Sequence, residues 1–207
     1  AGNHAQGVSL SAKKLGLPAI IVMPKTTPEI KIDAVRATGA NVYLHGNTYD
    51  EASVLAKTIA EDKNFDLIPP YDDQYIIAGQ GTVGMEILRQ HKGNVDFIFL
   101  PVGGGGLIAG VAAYVKKINP QTKIIGVEPE EAPSMTAALS ARKPVSLDKI
   151  GIFADGAAVK RVGTLNYEIV ETLVDDMLLV SVDEICASIK DIFEEKRVVL
   201  EPAGALS

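Results

Sequence analysis

Four consecutive glycines, Gly103 to Gly106, are the residues of this chain whose type and spacing point most directly to chemistry. They follow an apolar run at residues 97–102 and precede a second apolar run at 107–111. This order predicts a strand, a turn without side chains and a helix. In such a turn, successive backbone N–H groups converge at the positive end of the helix, where they bind an anion. Phosphate is the usual occupant, so the turn predicts a phosphorylated cofactor.

The local pattern leaves the kind of cofactor open. Gly104, Gly106 and Ala109 fit the G-x-G-x-x-[G/A] spacing of dinucleotide-binding turns, and Glu128 ends the next predicted strand, where a ribose-binding acid is expected. Four contiguous glycines fit a compact phosphate monoester equally well, because several N–H groups can hold it at once. No Gly-Lys-[Ser/Thr] follows, which excludes a Walker loop. A role in close packing alone is disfavoured, because a run of glycines costs chain entropy.

The elements around the turn alternate between strand-length apolar runs and helical patterns. This alternation predicts an α/β fold with open, mostly parallel sheets and flanking helices. The predicted strands are 19–23, 41–45, 65–68, 95–101, 122–127 and 177–181. The predicted helices are 3–15, 50–62, 74–90, 107–118, 134–141, 165–174 and 182–197, with one more that Thr27 caps, Pro28 opens and Gly39 closes.

A Pro-Pro-Tyr-Asp-Asp stretch at residues 69–73 is typical of a boundary between lobes. It divides the chain into a small mobile lobe, 1–72, and a larger lobe, 73–207, that carries the glycine turn. Gly79, Gly81 and Gly84 lie in the predicted helix 74–90, where each costs about 1 kcal/mol. We therefore expect all three to permit close packing.

Composition excludes several classes of protein. Acidic residues outnumber basic ones, 26 to 20, with no basic stripe, which argues against a nucleic-acid partner. No apolar run approaches the roughly 18 residues of a membrane span. The one cysteine, Cys186, suits a reducing cytoplasm. Both ends of the sequence have the character of cut ends, so a fragment or processed chain is expected.

Residues 1–7, Ala-Gly-Asn-His-Ala-Gln-Gly, resemble the asparagine loop of the pyridoxal-phosphate enzymes of the tryptophan-synthase-β fold type, also called fold type II. Residues 102–107 resemble the phosphate cup of that group. Segments 21–24, 78–82, 153–163 and 201–205 are similar to the biosynthetic threonine dehydratases, and the similarity runs through the chain in the right order.

The resemblance implies an incomplete fold type II enzyme that uses pyridoxal 5′-phosphate between its two lobes. It implies deamination of L-threonine, or of L-serine, with 2-oxobutanoate and ammonia formed from threonine, in a cytoplasmic homo-oligomer. The alternatives are a serine dehydratase, a racemase-like enzyme or a synthase of the same fold, or a nicotinamide-dependent oxidoreductase.

The resemblance also implies roles for individual residues. Asn3 would hydrogen-bond the 3′-oxygen of the cofactor ring, although from its type alone it is an ordinary helix N-cap. Gly156 would have a backbone role beside the cofactor. The 5′-phosphate would be held by backbone N–H groups of Gly103, Gly104, Gly105, Gly106 and Leu107. The substrate carboxylate would meet Ala1, Gly2 and His4, with His4 otherwise a structural residue.

Departures from the family pattern bear on the reaction. Ala1 stands where serine racemases carry a reprotonating serine, which favours elimination. Glu128 begins what is a divalent-cation site in racemases, but Ser134 replaces its third ligand, so we expect no metal and a solvated acidic loop. The Schiff-base lysine is expected upstream of Asn3, so no catalytic residue and no activity are expected of this chain alone. The serine that meets the pyridine nitrogen is expected downstream of Ser207.

Overall fold

The computed structural model describes residues 2–207, and the chain separates into two compact units, Ala1–Ile68 and Pro69–Ser207. The boundary between the units falls after Ile68, slightly before the boundary expected after residue 72. Each unit has a parallel sheet and its own hydrophobic core. None of the helices described between residues 2 and 207 has the length and hydropathy needed to span a bilayer.

Within residues 2–68, the first unit is built from three helices and a two-stranded parallel sheet. Its elements are α1 (Asn3–Leu15), β1 (Ile20–Met23), α2 (Glu29–Arg36), β2 (Asn41–Leu44) and α3 (Tyr49–Lys63). Ile20 pairs with Asn41 and Met23 with Leu44. Gly16 ends α1 at φ 68°, a left-handed conformation that glycine adopts without strain. The buried core comprises Ala5, Ile21, Met23, Ile32 and Val35.

Two local predictions for this unit are wrong. Residues 65–68 form no strand, and Phe65, Leu67 and Ile68 are exposed. An apolar run of strand length becomes a strand only where a partner edge supplies hydrogen bonds. Helix α2 begins at Glu29, so Pro28 occupies the N-cap position and no side chain caps the helix there.

The second unit places helices around a three-stranded parallel sheet in the order β3-β4-β5. Its elements are α4 (Gln74–Gln90), β3 (Phe97–Pro101), α5 (Gly106–Ile118), β4 (Lys123–Pro129), α6 (Ser134–Ala141), α7 (Thr164–Leu173), β5 (Asp176–Val180), α8 (Val182–Lys196) and a 3₁₀ turn, Pro202–Ala205. Ile98 and Leu100 of β3 and Ile124 of β4 lie in one core with the buried face of α5. The parallel α/β prediction is confirmed.

Helices α4 and α5 approach closely because two glycines of α4 face α5. A Cβ atom on Gly81 would lie 3.0 Å from the carbonyl oxygen of Gly110, and one on Gly84 would lie 3.0 Å from the side chain of Val115. A Cβ atom on Gly79 would meet no atom within 4 Å. The expected packing role is therefore correct for Gly81 and Gly84 and wrong for Gly79.

Candidate functional site

The glycine turn connects the end of β3 to the start of α5. Gly105 is the N-cap of α5 at φ 94°, and its carbonyl oxygen accepts the first helical hydrogen bond, from Ala109, at 3.0 Å. Within residues 2–207, the N–H groups of Gly103, Gly104 and Gly105 have no protein acceptor. Three donors without acceptors at a helix N-terminus form an arrangement that suits an anion.

The same glycines are also required by close packing. A Cβ atom on Gly103 would lie 2.9 Å from Cα of Ala157, and one on Gly104 would clash with the ring of Tyr71. At Gly105, the positive φ adds backbone strain for any other residue. Close packing therefore also requires glycine in this turn, because the Ala157 backbone and the Tyr71 ring lie directly against it.

A buried amide of α7 holds the turn from one side. The Nδ2 atom of Asn166 donates to the carbonyl oxygens of Gly104, at 2.8 Å, and Tyr71, at 3.2 Å. The N–H of Gly163 donates to the same Gly104 oxygen at 3.0 Å. Sequence reasoning missed Asn166. The sequence does carry one signal for it. Asn166 is a polar residue on the same face of α7 as the apolar, buried Val170, which lies one helical turn later.

Two side chains of the segment just before α4, those of Asp72 and Asp73, bind backbone groups of the second unit. Asp72 accepts the N–H groups of Thr164 and Leu165, both at 2.9 Å, and so caps α7. Asp73 accepts the N–H of Tyr75 at 2.8 Å and caps α4. The two neighbouring carboxylates therefore fix the starts of two helices around the glycine turn.

The Gly2-Asn3-His4 segment opens α1 in the first unit. Gly2 is the N-cap at φ 104° and ψ −146°, a conformation that favours glycine, and Asn3 is the first helical residue and is exposed. The interpretation of Asn3 as an ordinary N-cap is therefore wrong, since Gly2 holds that position. Ala1 lies outside the described residues.

His4 has a structural contact in the same unit. Its Nε2 atom donates to the carbonyl oxygen of Ile68 at 3.1 Å. Burial lowers the pKa of His4, although this hydrogen bond opposes the shift. Burial thus favours the neutral form of the imidazole, and the hydrogen bond to backbone fixes the orientation of the ring.

The irregular stretch before α7 brings Gly156 near the glycine turn. The N–H of Ala157 donates to the carbonyl oxygen of Ala154 at 2.9 Å, which closes a tight turn, and Ala157 itself packs on Gly103. Gly156 is exposed, and a Cβ atom there would lie 2.9 Å from Cβ of Ala203. The structure thus places the predicted backbone residue in the chain segment that borders the turn.

Glu128 is fully buried at the end of β4, which corrects the expectation of a solvated loop at this position. Its carboxylate accepts the N–H of Met135 at 2.6 Å, and the N–H and hydroxyl of Thr136 at 2.9 and 2.8 Å. Burial raises the pKa of Glu128, and these hydrogen bonds oppose the rise. Both oxygens serve the start of α6, an arrangement that does not suit a ribose-binding acid.

The hydroxyl of Ser134, expected at the third ligand position of a racemase-like cation site, donates to the carbonyl oxygen of Val159. In the part of the chain that the structure describes, no group of three or more His, Cys, Asp or Glu side chains could hold a metal ion.

The parallel sheets and the glycine turn together define an α/β protein with free N–H donors where α5 begins. A model of the family described as pyridoxal-phosphate dependent enzyme matches residues 1–207, so the chain belongs to that family. The resemblance to fold type II enzymes is confirmed, and so is pyridoxal phosphate as the cofactor of the family. The nicotinamide alternative receives no support.

The two curated relatives described next are both named as threonine dehydratases. The chain is 60% identical over 207 residues to a biosynthetic, chloroplastic threonine dehydratase of Arabidopsis thaliana and spans 35% of its length. It is 54% identical to the biosynthetic L-threonine dehydratase IlvA of Pasteurella multocida and spans 40% of its length. It also matches the structure of the processed form of threonine deaminase isoform 2 from Solanum lycopersicum. That match has 52% identity and a TM-score of 0.96, and covers 99% of this chain and 60% of the other.

Proposed function

We propose that the backbone N–H groups of Gly103, Gly104, Gly105, Gly106 and Leu107 hold the 5′-phosphate of pyridoxal 5′-phosphate. The observation that carries this proposal is the set of free N–H donors at Gly103, Gly104 and Gly105 where α5 begins. A dianionic ester fits these donors because several charge-assisted hydrogen bonds and the helix dipole act on it together. The wall of packed residues behind the turn keeps the donors fixed without an anion present.

Roles for the other site residues follow the family resemblance. Asn3 is proposed to donate from its side-chain amide to the 3′-oxygen of the cofactor ring, since it is exposed at the first position of α1. Gly156 is proposed to border the cofactor through its backbone. The substrate carboxylate is proposed to meet Gly2 and His4, because the N-terminal N–H groups of a 13-residue helix attract an anion. The same role is proposed for Ala1.

We propose that the protein containing this chain deaminates L-threonine to 2-oxobutanoate and ammonia, with L-serine as a second substrate. When bound, the cofactor withdraws electrons from the substrate α-carbon and so permits loss of the β-hydroxyl group. This chain's residues anchor the phosphate and orient the carboxylate, which fixes the geometry at the reacting carbon. The printed names of the relatives support threonine, although the chain spans less than half of the two curated relatives' lengths.

The compartment and assembly are part of the same proposal. We place the protein in the cytoplasm as a homo-oligomer, and the exposed free thiol of Cys186 is consistent with a reducing compartment.

A substrate panel tests the activity. The protein carrying this chain is incubated with pyridoxal 5′-phosphate and, separately, L-threonine, L-serine, or O-acetylserine with sulfide, and both the 2-oxo acid formed and the sulfide consumed are measured. We expect the highest kcat/KM with L-threonine. Turnover of O-acetylserine with sulfide, without 2-oxo acid from threonine, would instead indicate a synthase.

A pair of glycine variants tests the phosphate site. Gly104→Ala places a methyl group against the ring of Tyr71, so we expect the turn to distort and cofactor affinity to fall about tenfold or more. Gly79→Ala is the matched control, because its methyl group meets no atom within 4 Å. Equal cofactor affinity in both variants would contradict the assignment of the turn.

A further inference from the structure

Asn166 is a buried polar residue with an unusual hydrogen-bond balance. It is 0% exposed, and its Nδ2 atom donates hydrogen bonds to the carbonyl oxygens of Gly104 and Tyr71. Among the described residues, its Oδ1 atom is buried without a hydrogen-bond partner. The two donated bonds fix the orientation of the amide, because a flipped amide would place its oxygen against two carbonyl oxygens.

The unpaired oxygen makes Asn166 an unfavourable choice if the residue served only the stability of the fold. A buried polar atom without a partner is disfavoured, because it gives up its hydrogen bonds to water and gains none in the protein. An apolar side chain of similar size would avoid that cost, but it could not bind the Gly104 carbonyl. The amide therefore contributes an orientation that packing does not supply.

The bond from Asn166 sets the direction of one N–H group in the turn. No cis peptide bond is found within residues 2–207, so the peptide between Gly104 and Gly105 is trans. In a trans peptide the C=O and N–H groups point in opposite directions. Because Asn166 and Gly163 hold the Gly104 oxygen towards α7, the Gly105 N–H points away from α7. This N–H has no protein acceptor within the described residues.

This peptide needs an external restraint, since both residues that flank it are glycines. Neither has a Cβ atom to limit rotation of the peptide plane. The Gly163 N–H holds the Gly104 oxygen from one direction, and Asn166 adds a second donor from a fully buried position of α7. Two donors on one oxygen restrict rotation far more than one.

We infer that Asn166 is a positioning residue for the cofactor phosphate: its amide holds the Gly104–Gly105 peptide so that the Gly105 N–H faces the anion. The inference rests on the proposed role of the glycine turn. It adds a residue of α7 that touches neither cofactor nor substrate and acts through the backbone of Gly104.

The test compares Asn166→Leu with Thr122→Val in the protein that carries this chain. Thr122 is a matched control, since it is also 0% exposed and its hydroxyl donates to one backbone carbonyl, that of Val95, at 2.7 Å. Dissociation constants are measured for pyridoxal 5′-phosphate and for pyridoxal, which lacks the phosphate. Asn166→Leu should weaken binding of the phosphorylated form about tenfold and leave pyridoxal unchanged. Thr122→Val should change neither.

Asn166→Ser keeps the test decisive if the leucine variant does not fold. Its hydroxyl retains one donor in a smaller volume, so its loss of phosphate-dependent affinity should be a few-fold. The ³¹P chemical shift of the bound cofactor should move in the Asn166 variants and stay constant in Thr122→Val. An unchanged affinity ratio and ³¹P shift in the Asn166 variants would overturn the inference. A wild-type protein that binds both forms equally would instead overturn the proposed role of the turn.

Discussion

Asp175, which lies just before β5, shows how one side chain can join two elements of the second unit, α5 and β4. Its carboxylate accepts the N–H of Ile124 at the start of β4, at 2.8 Å, and forms ion pairs with Lys116 of α5, at 2.6 Å, and Lys123, at 2.9 Å. Desolvation of Asp175 would raise its pKa, but the hydrogen bonds from the two lysines and Ile124 prevail and hold it well below its ordinary value. The ionised form is thus the one that the fold stabilises.

Substitution of Asp175 tests this arrangement through its pH dependence. Asp175→Asn should lower the free energy of unfolding by about 1–3 kcal/mol at pH 7, because it removes charge-assisted hydrogen bonds. A lowered native pKa gives stability that is complete above the unfolded-state pKa and is lost as pH falls towards the native one. Urea denaturation should therefore show the difference from wild type shrinking below about pH 4. Asp62→Asn, at an exposed position of α3, is the control and should show no such trend.

At the scale of elements, the contact between α4 and α5 depends on which glycines face it. Gly81→Ala should destabilise the protein by about 1–3 kcal/mol, since the new methyl group presses on the carbonyl of Gly110. Gly79→Ala should stabilise it by about 0.5–1 kcal/mol, because alanine is the better helix former and nothing obstructs it. Both variants gain the same helix propensity, so the difference in their urea midpoints measures packing. Equal urea midpoints for the two variants would mean that α4 and α5 move apart to accommodate the new methyl group at no cost in stability.

Element type could be predicted from the sequence wherever a segment carries its own signals. Helix α4 and helix α6 have the predicted bounds, because Asp73 caps the first and the second buries Met135 and Ala138. Residues 65–68 show the limit, since an apolar run does not reveal whether a neighbouring strand exists to pair with it. Strand pairing is a property of the fold and leaves little trace in a short segment.

The candidate site was predictable only in part for a similar reason. The glycine turn can be recognised from its composition, and Gly103 to Gly106 lie where expected, between the end of β3 and the start of α5. The roles of Asn166 and Glu128 could not be recognised in this way. The role of Asn166 depends on a partner distant in sequence, and that of Glu128 depends on its burial. A polar residue at a buried helical position is the one sequence signal that would have drawn attention to Asn166.

At the scale of the whole molecule, the two units differ in the size of their cores. The first unit buries a small cluster around Met23 and Val35, whereas the second buries an extensive one on both sides of β4. Buried apolar area supplies most of the favourable free energy of folding. We therefore expect amides of β1 and β2 to exchange with solvent faster than those of β4, since local opening requires less free energy there.

Two matched isoleucines test whether the units open independently. Ile32 of the first unit and Ile124 of the second are 1% and 0% exposed, so truncation of either to alanine should cost about 2–5 kcal/mol. In native-state hydrogen exchange, Ile32→Ala should lower protection of β1 and β2 and leave β4 unchanged. Ile124→Ala should lower protection of β3, β4 and β5 alone. Because each core is contiguous within its own unit, a loss of protection that spreads from either site to both sheets would show that the units unfold as one cooperative body.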